Sequence, residues 1–197
     1  NLALILGIVV VVMLSSCVDL RADVTLRYGS IDLDADLKLI CFGEADIARR
    51  EIFNAMLALL GDAASLVEYE FYVPPDPYDI GVRIYGEDIP WSNLTGSIRV
   101  IEGEDRYILM FDLTKIETAQ LAAGDFTLTV KVEDGKILNA TPTPQALTEK
   151  TVVWTRRVMK LKEPNIMLLT VKFERGFIAH LSKGTKIVAA SVLSTLG

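Results

Sequence analysis

From Asp19 to Leu39 the chain alternates with a period of two, and that pattern constrains the fold more than any other feature. Leu20, Ala22, Val24, Leu26 and Tyr28 alternate with Asp19, Arg21, Asp23, Thr25 and Arg27. Ile31, Leu33, Ala35, Leu37 and Leu39 alternate in the same way with Asp32, Asp34, Asp36 and Lys38. Successive side chains of a strand point to opposite faces, so both runs are half-buried strands. Gly29-Ser30 between them predicts a two-residue hairpin loop with glycine first. In that register Arg27 faces Asp32 and Val24 faces Ala35. It also sets Asp23 against Asp36 and Arg21 against Lys38, like-charged pairs that the diagonal neighbours Arg21 with Asp36 and Asp23 with Lys38 offset.

A change of period follows. Ile52, Phe53, Met56, Leu59 and Leu60 recur at helical spacing, with Glu44 and Asp46 in the first turn, where the helix dipole favours them. The spacing predicts a helix over Asp46 to Leu60 that ends left-handed at Gly61 and lays its apolar stripe on a sheet. Strand patterns resume at Val67 to Val73, stop at Pro74-Pro75-Asp76-Pro77, and return from Ile80 to Ile84. Further strands are expected at 97–101, 106–113, 126–132, 136–139, 152–155 and 166–173, and Thr114 fits the cap of a short helix through Leu121. Thr141-Pro142-Thr143-Pro144 is either a long hairpin loop or a linker. The expected class is α+β: a mostly antiparallel β-sheet with one main amphipathic helix packed on it, preceded by an N-terminal hydrophobic leader.

That leader is the run Leu2 to Met13, closed by Leu14-Ser15-Ser16-Cys17. A membrane span needs about 20 apolar residues, and this shorter run has the dimensions of a secretory h-region. Leu14 to Cys17 resembles the lipobox of prokaryotic lipoproteins, which implies a diacylglyceryl thioether on Cys17 and places that residue at the mature N-terminus. An uncleaved anchor, a buried core segment or a signal cleaved elsewhere are the alternatives. The expected organisation is a signal or anchor over 1–17, one extracytoplasmic domain over 18–182, and a tail over 183–197 that is either terminal core or the start of a further element. Acylation of Cys17 leaves Cys41 as a lone thiol, and a Cys17–Cys41 disulfide is the competing outcome.

Catalytic patterns are sparse. The single histidine, His180, sits in the apolar alternation Phe177, Ile178, Ala179, Leu181, with no nucleophile placed beside it. Asp32, Asp34 and Asp36 have calcium-loop spacing, but Leu37 stands where the loop needs glycine and Gly43 where it needs a bidentate glutamate. Strand alternation accounts for the three carboxylates, so no metal and no cofactor are expected. The glycines are dispersed turn punctuation with no phosphate-cradling loop. A net charge of −6 without a run of Lys or Arg argues against nucleic acid as a partner. Trp91 is expected to cover core, with ligand stacking as the alternative. Asn93-Leu94-Thr95 and Asn139-Ala140-Thr141 fit the glycosylation acceptor pattern.

Cys17 followed by Val18-Asp19-Leu20-Arg21-Ala22-Asp23-Val24, the Gly29-Ser30 hairpin, the helix, the strand Phe126 to Val132, Asp134-Gly135-Lys136-Ile137 and Thr151-Val152-Val153-Trp154-Thr155 together resemble the LppM-type envelope lipoproteins. Asp134 stands where that family usually has proline. The resemblance implies an envelope-anchored α+β domain with no catalytic residues to carry over, and a structural role for Trp154. The expected function is that of a lipid-anchored extracytoplasmic envelope protein, not an enzyme, held at the cell membrane by its diacylglyceryl anchor. Its domain would bind an envelope protein, glycan or lipid, or serve as structure. The alternative is a surface assembly or filament subunit with an uncleaved N-terminal anchor.

Overall fold

The computed structural model describes residues 16–40, 45–75, 77–112, 121–159 and 166–173. The order is β1 (Ser16–Arg27), β2 (Ser30–Leu39), α1 (Ala45–Leu60), a 3-10 turn (Gly61–Leu66), β3 (Glu68–Tyr72) and β4 (Ile80–Pro90). A second 3-10 turn (Trp91–Asn93) leads to β5 (Ile98–Glu102), β6 (Tyr107–Asp112), β7 (Leu121–Val132) and β8 (Gly135–Thr141). The last three are β9 (Ala146–Leu147), β10 (Thr151–Met159) and β11 (Ile166–Phe173). The chain is mostly strand with one α-helix among the described residues, as an α+β class requires.

The strands make two sheets where the alternation alone suggests one. Seven strands run in the order β3-β4-β2-β1-β7-β10-β9, and four in the order β5-β6-β11-β8. Every pairing is antiparallel except that of β1 with β7. In the larger sheet one face is apolar: Val24 and Leu26, Leu33 and Ala35, Val82 and Ile84, Leu128 and Val130, and Val152 and Trp154 are all buried. These side chains form a single core with Ile52, Met56 and Leu60 of α1 and with Leu109, Phe111, Leu169 and Val171 of the smaller sheet. One apolar face of seven strands is thus too wide for a 16-residue helix to cover, and the second sheet covers the rest.

The outer face of the larger sheet is polar and its charges alternate across strands. Glu70, Arg83, Asp36 and Arg21 lie side by side on β3, β4, β2 and β1. Tyr72 packs its ring over Gly81, donates to Asp36 Oδ1 at 2.5 Å, and lies 4.8 Å beneath the Arg83 guanidinium. Burial and then the Asp36 hydrogen bond push its phenol up to about 12.

The hairpin loop lies one residue before Gly29-Ser30, which shifts the register of the two strands by two. Arg27 pairs with Ser30, so Tyr28-Gly29 is the loop, and Gly29 takes φ +86 at its second position. A left-handed residue there is what a type II turn demands. The shift replaces the expected like-charged pairs by Arg21 opposite Asp36 and Asp19 opposite Lys38, leaving only Asp23 opposite Asp34. Arg27 contacts Asp32 diagonally, Nη1 to Oδ2 at 2.5 Å, and donates from Nε to Glu133 Oε2 at 2.9 Å. The Asp32 hydrogen bond is the largest influence holding its guanidinium charged above the ordinary value. Glu87 and Asp88 bulge opposite Asp32, whose Oδ1 accepts the Asp88 N–H at 2.9 Å.

Other expectations need adjustment. Of the two readings of Thr141-Pro142-Thr143-Pro144 the loop holds, although it joins strands of different sheets: Thr141 ends β8, residues 142–145 lead to β9, and Pro142 O accepts the Trp154 Nε1 proton at 2.7 Å. Leu121 is the first residue of β7, while Thr114 and the rest of the short helix expected before it, Cys41 and His180 lie outside the described residues, as does the tail over 183–197.

The C-terminal end of α1 is stitched to the entry of β5. Gly61 is left-handed at φ +62, Ser97 N–H donates to Ala58 O at 3.0 Å, and Asp62 N–H donates to Thr95 Oγ1 at 3.0 Å. A Cβ on Gly96 would stand 2.5 Å from Leu59 O. Gly96→Ala should therefore cost ~1–3 kcal/mol through forced separation of helix and strand, read as a lower denaturant midpoint with an unchanged m-value.

Candidate functional site: an apolar cavity

The register of β1 with β2 brings two alanines together. Ala22 of β1 and Ala35 of β2 are direct partners near the centre of the seven-stranded sheet, on its apolar face. Their neighbours along that row are Ile84 on one side and Leu128 on the other. Two methyl groups between larger side chains make a depression in the floor, and nothing above it fills the space. A cavity of about 60 Å³ remains over the pair.

Its walls come from every layer. Leu20, Val24, Leu33 and Phe126 extend the floor. Met56, Leu59 and Leu60 from the last turns of α1 form one wall, and Ile98 and Phe111, partners across β5 and β6, form another. The stitch between Ala58 and Ser97 holds those two walls in place. Leu20, Ala22 and Leu59 are only half-buried and define the open side, while Val24, Met56, Leu60 and Leu128 close the inner end.

The chemistry of this space follows from its lining. All 13 lining residues are apolar, so a polar group placed inside would go without a partner at several kcal/mol. Water is disfavoured for the same reason, because a buried water makes about three hydrogen bonds to polar neighbours. The volume is below the ~150 Å³ at which a comparable apolar cavity accepts benzene. It therefore suits a few methylene or methyl groups, the end of a hydrocarbon chain.

The residues singled out from sequence lie elsewhere. Cys17 is the second residue of β1, opposite Ala123 of β7 and one residue before the pairing with β2 begins at Val18. It therefore stands on the same strand as the cavity floor. Asn139 is exposed on β8, and Asn93 is half-buried in the second 3-10 turn, where its Oδ1 accepts the Ser92 hydroxyl at 3.3 Å. Asp32 is engaged by Arg27 and Asp88, and Asp36 by Tyr72 and, at 3.4 Å, Lys38. Among the described residues no group of three or more His, Cys, Asp or Glu is placed to hold a metal ion. Trp91 is buried in an aromatic cluster with Tyr28, Tyr107 and Phe173, at ring separations of 5.2–5.8 Å, and so covers core.

No family model matches the chain, and no curated protein matches it. Among solved structures it is similar to the Fcho1 Mu homology domain of Danio rerio with bound Eps15 peptide, at 11% identity over 81% of this chain and 79% of that one. The TM-score is 0.28, a likeness that carries nothing about fold or function here.

Filling the space tests its emptiness. Ala35→Val adds two methyl groups beside the cavity and should leave stability unchanged or raise it by up to ~1.5 kcal/mol. The same substitution at fully buried Ala63, which does not line the cavity, should cost ~1–3 kcal/mol by overpacking. Urea unfolding of the two variants reads the difference directly.

Proposed function

We propose that this chain is a lipid-anchored extracytoplasmic protein of the cell envelope, and that its domain is a noncatalytic module that holds the end of an apolar chain over Ala22 and Ala35. The observation that carries the binding half is the cavity itself, walled by helix and both sheets and without a polar lining group. Such a lining offers no nucleophile, no proton donor and no charge, and can only exclude water and pack against hydrocarbon. A lipid is the member of the expected partner set, envelope protein, glycan or lipid, that carries such a group.

The anchoring half is supported by the sequence from Leu2 to Cys17. A diacylglyceryl group supplies two acyl chains, which suffice for stable attachment where a single chain is marginal. Cys17 lies within the first two residues of β1, so a lipid on it needs no spacer to bring β1, and with it the cavity, close to the bilayer. No helix among the described residues is long and apolar enough to cross a membrane.

Cys17→Ser in the producing cell should shift the protein from the membrane to the soluble fraction or leave an unprocessed precursor, with the mass of the diacylglyceryl group absent. Unchanged mass and retention would contradict the anchor. Displacement of a fluorescent fatty acid from the purified chain should fall to background in Ala22→Leu, whose side chain occupies the space.

A further inference from the structure

Exposed apolar surface is concentrated on one flank of the domain. Among the described residues nine large apolar or aromatic side chains are exposed, and five of them fall between Phe53 and Val73. Phe53 and Leu57, one turn apart on α1, are 39% and 43% exposed, and Tyr69 on β3 is 47% exposed. The Phe53 and Tyr69 rings lie 6.0 Å apart, so helix and edge strand contribute to one surface. A solvated helix flank would carry polar residues at these positions.

Two exposed arginines stand beside this flank, one of them shared with the exposed Asp46. Arg49 and Arg50 are exposed one turn before Phe53, and Arg49 lies 5.6 Å over the Phe71 ring while contacting Asp46 at 3.4 Å. Glu68 and Glu70 alternate with Tyr69 and Phe71 and therefore point to the other face of β3, in register with Asp34 and Asp36 through β4. The molecule thus sets an apolar flank bearing two arginines against a polar sheet face on which Glu68, Glu70, Asp34 and Asp36 are interleaved with Arg83 and Arg21, and only the former offers both apolar side chains and cations to a negatively charged bilayer.

We propose that the α1–β3 flank, through Phe53, Leu57, Tyr69, Arg49 and Arg50, seats the domain on the surface of an anionic lipid bilayer. The proposal rests on the membrane-anchor reading of Cys17 and adds an orientation to it: the flank faces the lipid and the charged outer sheet faces away. Apolar side chains insert at the headgroup boundary while the guanidinium groups meet lipid phosphates, a geometry that needs no helix longer than α1.

The test uses the full, lipid-modified chain on vesicles of phosphatidylcholine with phosphatidylglycerol, with bromine on the acyl chains as a short-range fluorescence quencher. Sedimentation with the vesicles reports attachment, and quenching reports which face touches lipid. Phe53→Trp should be quenched, and Tyr85→Trp, at an exposed site on the outer sheet face, should not. Arg49→Gln with Arg50→Gln should reduce the Phe53→Trp quenching to its level on pure phosphatidylcholine. Sedimentation with equal quenching at both sites, or none at either, overturns the docking while leaving the anchor intact. Failure to sediment removes both. Absent quenching with concentration-dependent dimerisation would assign the flank to a second copy of this chain and likewise overturns the proposal.

Discussion

The pairing of Ala22 with Ala35 governs the middle of this molecule. β1 is the strand on which both halves of the larger sheet hang, with β2 on one side and β7 on the other. Its register with β2 decides which side chains stand together on the apolar face, and there it sets the two smallest side by side. Close packing is the rule in protein interiors, so a gap over such a pair persists only if its walls cannot collapse inward. Here they are held apart: Gly61, Thr95, Gly96 and Ser97 fasten the end of α1 to the start of β5, and the second sheet carries Ile98 and Phe111 on that same connection.

The far side of the hairpin is fixed by a different interaction. Arg27 joins the end of β1 to Asp32 of β2 and to Glu133 in the turn where the chain leaves the larger sheet for the smaller one. The Glu133 N–H donates to Leu26 O at 2.9 Å, and the buried Gly135 that follows sits where a Cβ would meet Lys172 O at 2.9 Å. Charge pairing at one end of β1 and an apolar gap towards the other thus belong to one strand. Its polar residues form the outer ladder and its apolar ones the cavity floor. Attachment through Cys17 would then act on the strand that supports both.

Much of the local structure was legible because it depends on periodicity. The hairpin strands over 20–27 and 31–39, the helix ending at Gly61 and the strand 166–173 all follow from apolar spacing within one element, which overran only at Tyr28. The hairpin register did not, since a slip of two residues keeps every side chain on its own face and leaves the hydrophobic pattern satisfied. Charge did discriminate: closing at Tyr28-Gly29 turns Arg21 and Lys38 from partners of each other into partners of Asp36 and Asp19. The cavity was hidden for the same reason, because the Gly29-Ser30 register sets Ala35 against Val24 and brings no two alanines together. The parallel pairing of β1 with β7 joins residues about a hundred positions apart, which no local pattern encodes. The exposed Phe53 fitted the buried stripe by spacing alone, and only the edge position of β3 under the helix leaves it in solvent.

The central claim is that a dry space lined only by hydrocarbon lies over Ala22 and Ala35. A crystal of the domain pressurised with xenon tests it most directly, since xenon enters apolar cavities and is excluded from filled or hydrated ones. A xenon peak bounded by Met56, Leu60, Phe111 and the two alanines is expected, with no ordered water there in its absence. Ordered water at that position, or side chains closing the space so that no xenon enters, would contradict it.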